Sequence, residues 1–173
     1  MPSECQTLEL EDFSQPYDLI IYGIEGSSSK GFSHEVPIKR EEARLLWSVL
    51  KPRGNTRGMD QIRSNPKLDF FYYLLTTSGR DMGFTYHNEG EVLEALALID
   101  LENIYPDDKY FQTGGVAYSN GNGRIVGELD VLVGRKSDCK ILVVGETKLG
   151  IGQIAHARSQ LQRFESFLRS QNQ

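Results

Sequence analysis

The segments Gly127-Glu-Leu-Asp-Val-Leu-Val133 and Val143-Val-Gly-Glu-Thr-Lys148 carry the pattern that decides the fold. Both are rich in β-branched residues, which predicts strands, and the short turn between them predicts that the strands pair antiparallel. Alternation with a period of two places Glu128 and Asp130 on one face of the first strand. It places Glu146 and Lys148 on one face of the second strand. We therefore expect carboxylates from adjacent strands to meet on one face of a sheet.

The sequence on either side predicts a helix, three meandering strands and a second helix. Asn88 is a candidate N-cap, and Glu91 completes a capping-box pattern at the start of a helix that runs to about Asn103. The segment Ser119-Asn-Gly-Asn-Gly123 is typical of a hairpin turn. The remaining predicted elements are strands over 110–118, 124–134 and 140–148, and a helix over 153–169.

The N-terminal half predicts a strand followed by helices. Asp18–Ile24 reads as a strand because it is rich in β-branched and aromatic residues. Arg40–Lys51 predicts a helix that stops before Pro52, and Pro66–Thr77 predicts a helix with proline in its first turn. The segment 52–65 between them predicts a basic loop. We accordingly divide the chain into an α-rich N-terminal extension over 1–87 and a core over 88–173.

Composition bounds the class of protein. The chain has 173 residues, 39% hydrophobic and 25% charged, which excludes a mostly disordered chain and suits one globular domain. Its net charge of −5 argues against coating nucleic acid by bulk charge, but leaves room for a local basic groove. The apolar runs are too short to span a bilayer, and we expect neither a signal peptide nor a membrane partner. Cys5 and Cys139 are expected to be free thiols in a reducing compartment, which predicts a cytoplasmic location.

The acidic strand ends have a specific chemical meaning. Converging carboxylates repel one another and resist burial, and a divalent cation relieves both problems. Magnesium takes a few carboxylate oxygens together with water and substrate phosphate. A lysine beside such a site can orient a water molecule or stabilise charge that develops on a phosphate. The pattern therefore suits hydrolysis of a phosphodiester bond.

The position of the acid-x-Lys tripeptide carries more weight than the tripeptide itself. It occurs at 107–109, at 138–140 and at 146–148. Only Glu146-Thr-Lys148 ends a hydrophobic strand that follows an Asp-bearing partner strand. The alternative interpretation is that these residues are charged strand ends facing solvent.

Asp130, followed after a hairpin by Glu146-Thr-Lys148, resembles the PD-(D/E)XK nuclease superfamily, which includes restriction endonucleases and Holliday-junction resolvases. The resemblance covers about residues 88–170, and Leu129 stands where the family name has proline. It implies an α/β fold with a restriction-endonuclease-like core in a mixed sheet. It also implies hydrolysis dependent on Mg²⁺ or Mn²⁺, with nucleic acid as partner, DNA as the first expected substrate, and a homodimer as the expected assembly.

The resemblance assigns roles to individual residues. Asp130 and Glu146 would bind the metal ion, with Glu94 contributing directly or through water, and Lys148 would position or activate water. Glu94 matches the acid that the family places on the preceding helix, with Glu91 as the alternative. The accessory candidates are Glu128 as a further ligand, and Gln153, Gln160 and Arg163 near the metal ion or a phosphate.

The sequence departs from the family after the last predicted helix. Family members usually continue into a fourth strand parallel to the third, but only Ser170-Gln-Asn-Gln173 follows here. Three explanations stay open. The domain is truncated, the sheet ends early, or Asp18–Ile24 supplies the missing edge.

A basic stretch in the N-terminal half is the candidate for substrate contact. It begins at Lys39 and Arg40, and the residues chosen for phosphate binding are Lys51, Arg53, Arg57 and Arg63. Aromatic residues follow at 70–73 and suit base stacking. The alternative is a solvated loop beside a core-facing helix.

Two other functions stay open at this stage. One is an RNA-cleaving toxin or effector nuclease with the same active site. The other is a catalytically silent module of the same fold that binds nucleic acid or protein.

Overall fold

The computed structural model describes residues 1–14 and 16–171. Its strands are β1 (Asp18–Gly23), β2 (His34–Glu35), β3 (Tyr110–Thr113), β4 (Val116–Ser119), β5 (Ile125–Leu129), β6 (Val131–Arg135) and β7 (Ile141–Thr147). Its α-helices are α1 (Arg40–Leu50), α2 (Met59–Arg63), α3 (Pro66–Leu74), α4 (Glu89–Ile104) and α5 (Ile154–Gln171). The last two residues of the predicted core, 172 and 173, lie outside the described residues.

A five-stranded mixed sheet organises the fold, with the strand order β2-β1-β7-β6-β3. β6 pairs antiparallel with β7 and with β3, whereas β1 pairs parallel with β7. β4 and β5 form a separate antiparallel pair. The prediction of a mixed α/β fold is therefore confirmed.

The N-terminal strand β1 lies beside the strand that carries the acid-x-Lys motif. Ile21 of β1 is in register with Glu146 of β7. The N-terminal strand therefore continues the sheet beyond β7, as one of the three explanations above expects. The outer edge itself is the short strand β2, which pairs with β1.

Two of the predicted strands are interrupted, which corrects the prediction of three continuous strands. The first breaks at Gly114 and Gly115, and the second breaks at Asp130. A Cβ atom on Gly114 would lie 2.6 Å from the carbonyl oxygen of Asp130, so this approach requires glycine. Gly115 has a φ of 64°, in the left-handed region that glycine favours. The two breaks thus face each other and leave Asp130 outside the regular ladder.

The predicted long helices are confirmed. The side chain of Asn88 caps α4 by accepting a hydrogen bond from the backbone N–H of Glu91 at 3.1 Å. The Glu91 carboxylate accepts from the backbone N–H of His87 at 2.8 Å, one residue earlier than a standard capping box requires. The prediction that 52–65 is entirely loop is wrong, because α2 forms within it. Ile62 has no exposed surface there, and its burial in the core stabilises this short helix.

The sheet separates two hydrophobic layers. One layer contains Leu46 of α1, Ile62 of α2 and Leu93 of α4, packed with Val131 of the sheet. The other contains the apolar stripe of α5, which packs on the opposite face with Leu132 and Val144 among others. The first layer thus joins side chains from the predicted extension and from the predicted core.

The N-terminal segment is tied to the turn between β6 and β7 by a disulfide bond. Cys5 and Cys139 are bonded, with their Cα atoms 5.5 Å apart. The expectation of two free thiols is therefore wrong. Spacing along the chain could not reveal the pair, because the cysteines are 134 residues apart. Disulfides persist in oxidising environments, and a cytoplasmic location stays a prediction.

In the described part of the chain, no helix is both long and apolar enough to cross a membrane.

Candidate active site

Three of the predicted site residues converge where β6 and β7 run side by side. Asp130 occupies the break before β6, Glu146 lies near the end of β7, and Lys148 follows directly after β7. The carboxylate of Asp130 accepts a hydrogen bond from the backbone N–H of Thr147 at 3.0 Å, and lies 3.4 Å from the Thr147 hydroxyl. These bonds fix Asp130 against the strand that carries Glu146.

Glu146 is the most unusual side chain of the site. It has no exposed surface, and neither carboxylate oxygen has a hydrogen-bond partner. The nearest cation is Lys148, whose Nζ lies 3.7 Å from Oε2. The pKa of Glu146 is raised to about 9, chiefly by burial and then by the adjacent Asp130 carboxylate, and Lys148 opposes the shift only in part. A buried carboxylate without partners is costly to keep charged, so this position favours a neutral acid or a bound cation.

Glu94 approaches the same site from α4. Burial raises the pKa of Glu94 to about 8, and the charges of Asp130, Glu91 and Glu128 contribute in the same direction. Lys148 again acts in the opposite direction. Glu94 is therefore close enough to Asp130 for the two carboxyl groups to repel, as the predicted site requires.

An open cavity of about 250 Å³ is lined by Glu94, Asp130 and Lys148, whereas the buried Glu146 is not part of its wall. The polar side chains on its wall are Arg40, Glu94, Asp130, Thr147, Lys148 and Gln153. Gln153, an accessory candidate, thus lies at the site. Arg40 belongs to the basic stretch, but sequence reasoning did not select it. Its position at the start of α1 carries no signal that it would reach strands more than ninety residues away.

Two further acidic candidates face a neighbouring cavity of about 460 Å³. Glu91 and Glu128 line it, and Glu94 lines both cavities. The charges of Glu91 and Glu128 reach the site through Glu94, whose pKa they raise.

The two candidates on α5 lie on the opposite face of the sheet from α4. The Oε1 atom of Gln160 is buried without a hydrogen-bond partner. Arg163 is exposed, and it is near enough to the hydroxyl of Tyr118 to lower the pKa of that group, while Glu146 and burial raise it. Glu146 and Arg163 therefore share the surroundings of one tyrosine.

The basic residues chosen for substrate contact lie outside the cavity wall. Lys51, Arg53 and Arg57 are in the loop after α1, and Arg63 is the last residue of α2. Lys51 lies over the ring of Trp47, with Nζ 4.5 Å from its centroid. Because α1 has 11 residues, and a helix rises about 1.5 Å per residue, its two ends are separated by about 16 Å. Arg40 stands at the cavity end and Lys51 at the far end.

The carboxylates of Asp130 and Glu146 are the groups that would fit a magnesium ion. Within residues 1–14 and 16–171, no group of three or more His, Cys, Asp or Glu side chains is arranged to hold a metal ion. Magnesium usually takes one or two protein carboxylates and keeps its remaining positions for water and phosphate. Asp130 and Glu146 would meet that requirement, because the oxygens of Glu146 accept no hydrogen bond and their nearest cation is Lys148 at 3.7 Å. Glu94 would then contact the metal ion through a water molecule.

Comparison of the chain with protein-family models, with curated proteins and with solved structures finds no match.

Proposed function

We propose that this protein is a metal-dependent nuclease that hydrolyses phosphodiester bonds in nucleic acid, with DNA as the first substrate to test. The observation that carries the proposal is the buried Glu146 carboxylate, which has no hydrogen-bond partner and lies beside Asp130 and Lys148. A group that serves only packing would not keep a carboxylate in this position, because an apolar side chain would be cheaper to bury.

Asp130 and Glu146 are the proposed ligands of a Mg²⁺ or Mn²⁺ ion. When bound, the ion would supply positive charge to polarise the phosphate and lower the pKa of a coordinated water. The backbone N–H of Thr147 holds Asp130 in place for that role. The open cavity admits the phosphate from solvent.

Lys148 is the proposed positioning group for the attacking water. Its side chain is 14% exposed and lines the cavity, while its Nζ stays 3.7 Å from Glu146. An ammonium group only donates hydrogen bonds. Lys148 therefore orients the oxygen of water toward phosphorus, or stabilises the negative charge that grows on the phosphate oxygens as the bond to the leaving oxygen breaks.

Glu94 and Gln153 also line the cavity wall. Glu94 is proposed to bind the metal ion through a water molecule. Gln153 has an amide that both donates and accepts hydrogen bonds, which suits a water or phosphate oxygen.

A catalytically silent binding module is the second candidate. The observation that favours it is the lack, among the described residues, of a group of three or more metal-binding side chains. The two candidates differ in one measurable property. A nuclease loses activity when the metal ion is removed, whereas a silent module cuts nothing in any condition.

The test is cleavage of supercoiled plasmid, single-stranded DNA and structured RNA, with magnesium, with manganese and with chelator. The wild type is compared with Asp130→Ala and Lys148→Ala, and Glu25→Gln, an exposed turn residue, is the control. Cutting that needs the metal ion and is lost in both site variants supports the proposal and names the polymer. Cutting that survives both substitutions refutes the site. No cutting, together with no magnesium binding by calorimetry, favours the silent module.

A further inference from the structure

Arg40 brings a solvent-exposed positive charge to the wall of the carboxylate cavity. It is the first residue of α1, and its side chain is 52% exposed. Its guanidinium lies 3.6 Å from Glu89, beyond ordinary hydrogen-bond distance, and no other ion pair of Arg40 occurs among the described residues. Arg40 therefore lines an open cavity and has no tight ion-pair partner among the described residues.

Arg44 provides a natural comparison one helical turn later. Its Nε lies 3.2 Å from the other oxygen of Glu89, and its side chain is 62% exposed. Both arginines thus belong to α1, pair with the same carboxylate and face solvent. Arg40 is part of the cavity wall, and Arg44 is not among the residues that form it.

The charge balance of the cavity requires a cation on the side where substrate enters. Glu94 and Asp130 are acidic and line the wall, and Glu146 lies buried beside Asp130. Carboxyl groups supply no positive charge in either protonation state, so the wall needs a cation to attract a phosphodiester anion. Lys148 is held next to Glu146, which leaves Arg40 as the cation of the wall that is open to solvent.

We propose that Arg40 binds a backbone phosphate of the nucleic acid and thereby seats the scissile bond over Asp130 and Lys148. A guanidinium suits this role because its planar donors match two phosphate oxygens at once. The weak ion pair with Glu89 holds Arg40 near the cavity, and little free energy is needed to break it when a phosphate binds. This inference rests on the proposed nuclease function, and it places the first phosphate contact at α1 rather than in the 51–63 segment.

The test measures binding and catalysis separately in Arg40→Ala, Arg40→Lys and Arg44→Ala. Binding is followed by fluorescence anisotropy of a fluorescein-labelled single-stranded 12-mer in calcium, over a series of salt concentrations. Catalysis is followed as KM and kcat on the polymer that the wild type cuts. We expect Arg40→Ala to weaken binding about tenfold and to reduce the salt slope by about 0.7, the value for one phosphate contact on a single strand. Arg40→Lys should keep the salt slope and regain part of the affinity.

Arg44→Ala is the matched control, because it also removes a partner of Glu89. It should bind within twofold of the wild type, with an unchanged salt slope and KM. The proposed role of Arg40 would be overturned if Arg40→Ala and Arg44→Ala lost equal affinity for the oligonucleotide. It would also be overturned if neither variant lost affinity while the wild type binds and cuts. Either result would leave the nuclease function itself standing. A wild type that neither binds nor cuts any nucleic acid would overturn the nuclease function, and the role of Arg40 with it.

Discussion

Replacing Glu146 with glutamine should make the metal-free protein more stable at neutral pH. In the unfolded chain this carboxyl group ionises near 4.5, whereas in the folded protein its pKa is about 9. Between those values the folded state holds a proton that the unfolded state has lost. Stability therefore falls as the pH rises through this window, and levels off above it. Glu146→Gln removes the titrating group and keeps the shape of the side chain.

The size of the effect follows from the pKa shift. Each pH unit above the unfolded pKa costs about 1.4 kcal/mol. At pH 7 the gain in the free energy of unfolding is therefore on the order of 3 kcal/mol, as an upper bound. Near pH 4.5 the group is protonated in the folded state and half protonated in the unfolded state, so the variant and the wild type should differ in stability by only about 0.4 kcal/mol.

The assay is urea unfolding followed by circular dichroism, in EDTA, at pH 4.5 and pH 7. Glu25→Gln is the control, because that side chain is exposed in a turn, and it should change stability by less than about 0.5 kcal/mol. Magnesium should then stabilise the wild type, by about 2.7 kcal/mol at a hundredfold excess over Kd, and should stabilise Glu146→Gln much less. The reasoning would be refuted if Glu146→Gln were less stable than the wild type at pH 7. It would also be refuted if the free energy of unfolding changed by the same amount at both pH values.

Three further predictions address the titration, the disulfide and the core. Glu94→Gln should become more stable than the wild type as the pH rises from 4.5 to about 8, because burial holds the Glu94 proton in the folded state over that range. A pH profile of urea unfolding identical to that of the wild type would contradict this. Cys5→Ser should lower the free energy of unfolding by about 2–5 kcal/mol, with dithiothreitol shifting the urea midpoint of the wild type but not of the variant; an insensitive wild type would show that the bond is absent. Leu46→Ala should lower the free energy of unfolding in urea by about 2–5 kcal/mol, because Leu46 has no exposed surface. Leu45→Ala should lower it less, because Leu45 is only partly buried.

Local chemistry was enough to predict several elements. Asn88 caps α4 because its short polar side chain reaches a free backbone N–H, an interaction that closes within three residues. Pro66 starts α3 for a similarly local reason, since its fixed φ suits the first helical turn. The alternation in 141–147 predicted the strand that bears Glu146. In each case, the residues that determine the structure are neighbours along the chain.

The partners of these elements were decided only by the tertiary structure. Periodicity tells which face of β7 is apolar, but not that β1, more than a hundred residues earlier, lies parallel to it. The break at Asp130 depends on the approach of Gly114, and the disulfide depends on where Cys5 and Cys139 meet in space. Long-range pairing is set by the total burial of the fold, which no local window contains. The sequence by itself therefore determined which residues are candidates for the proposed chemistry. The packing of α1 beside α4 placed Arg40 at the cavity, because only the shared core holds those two helices together.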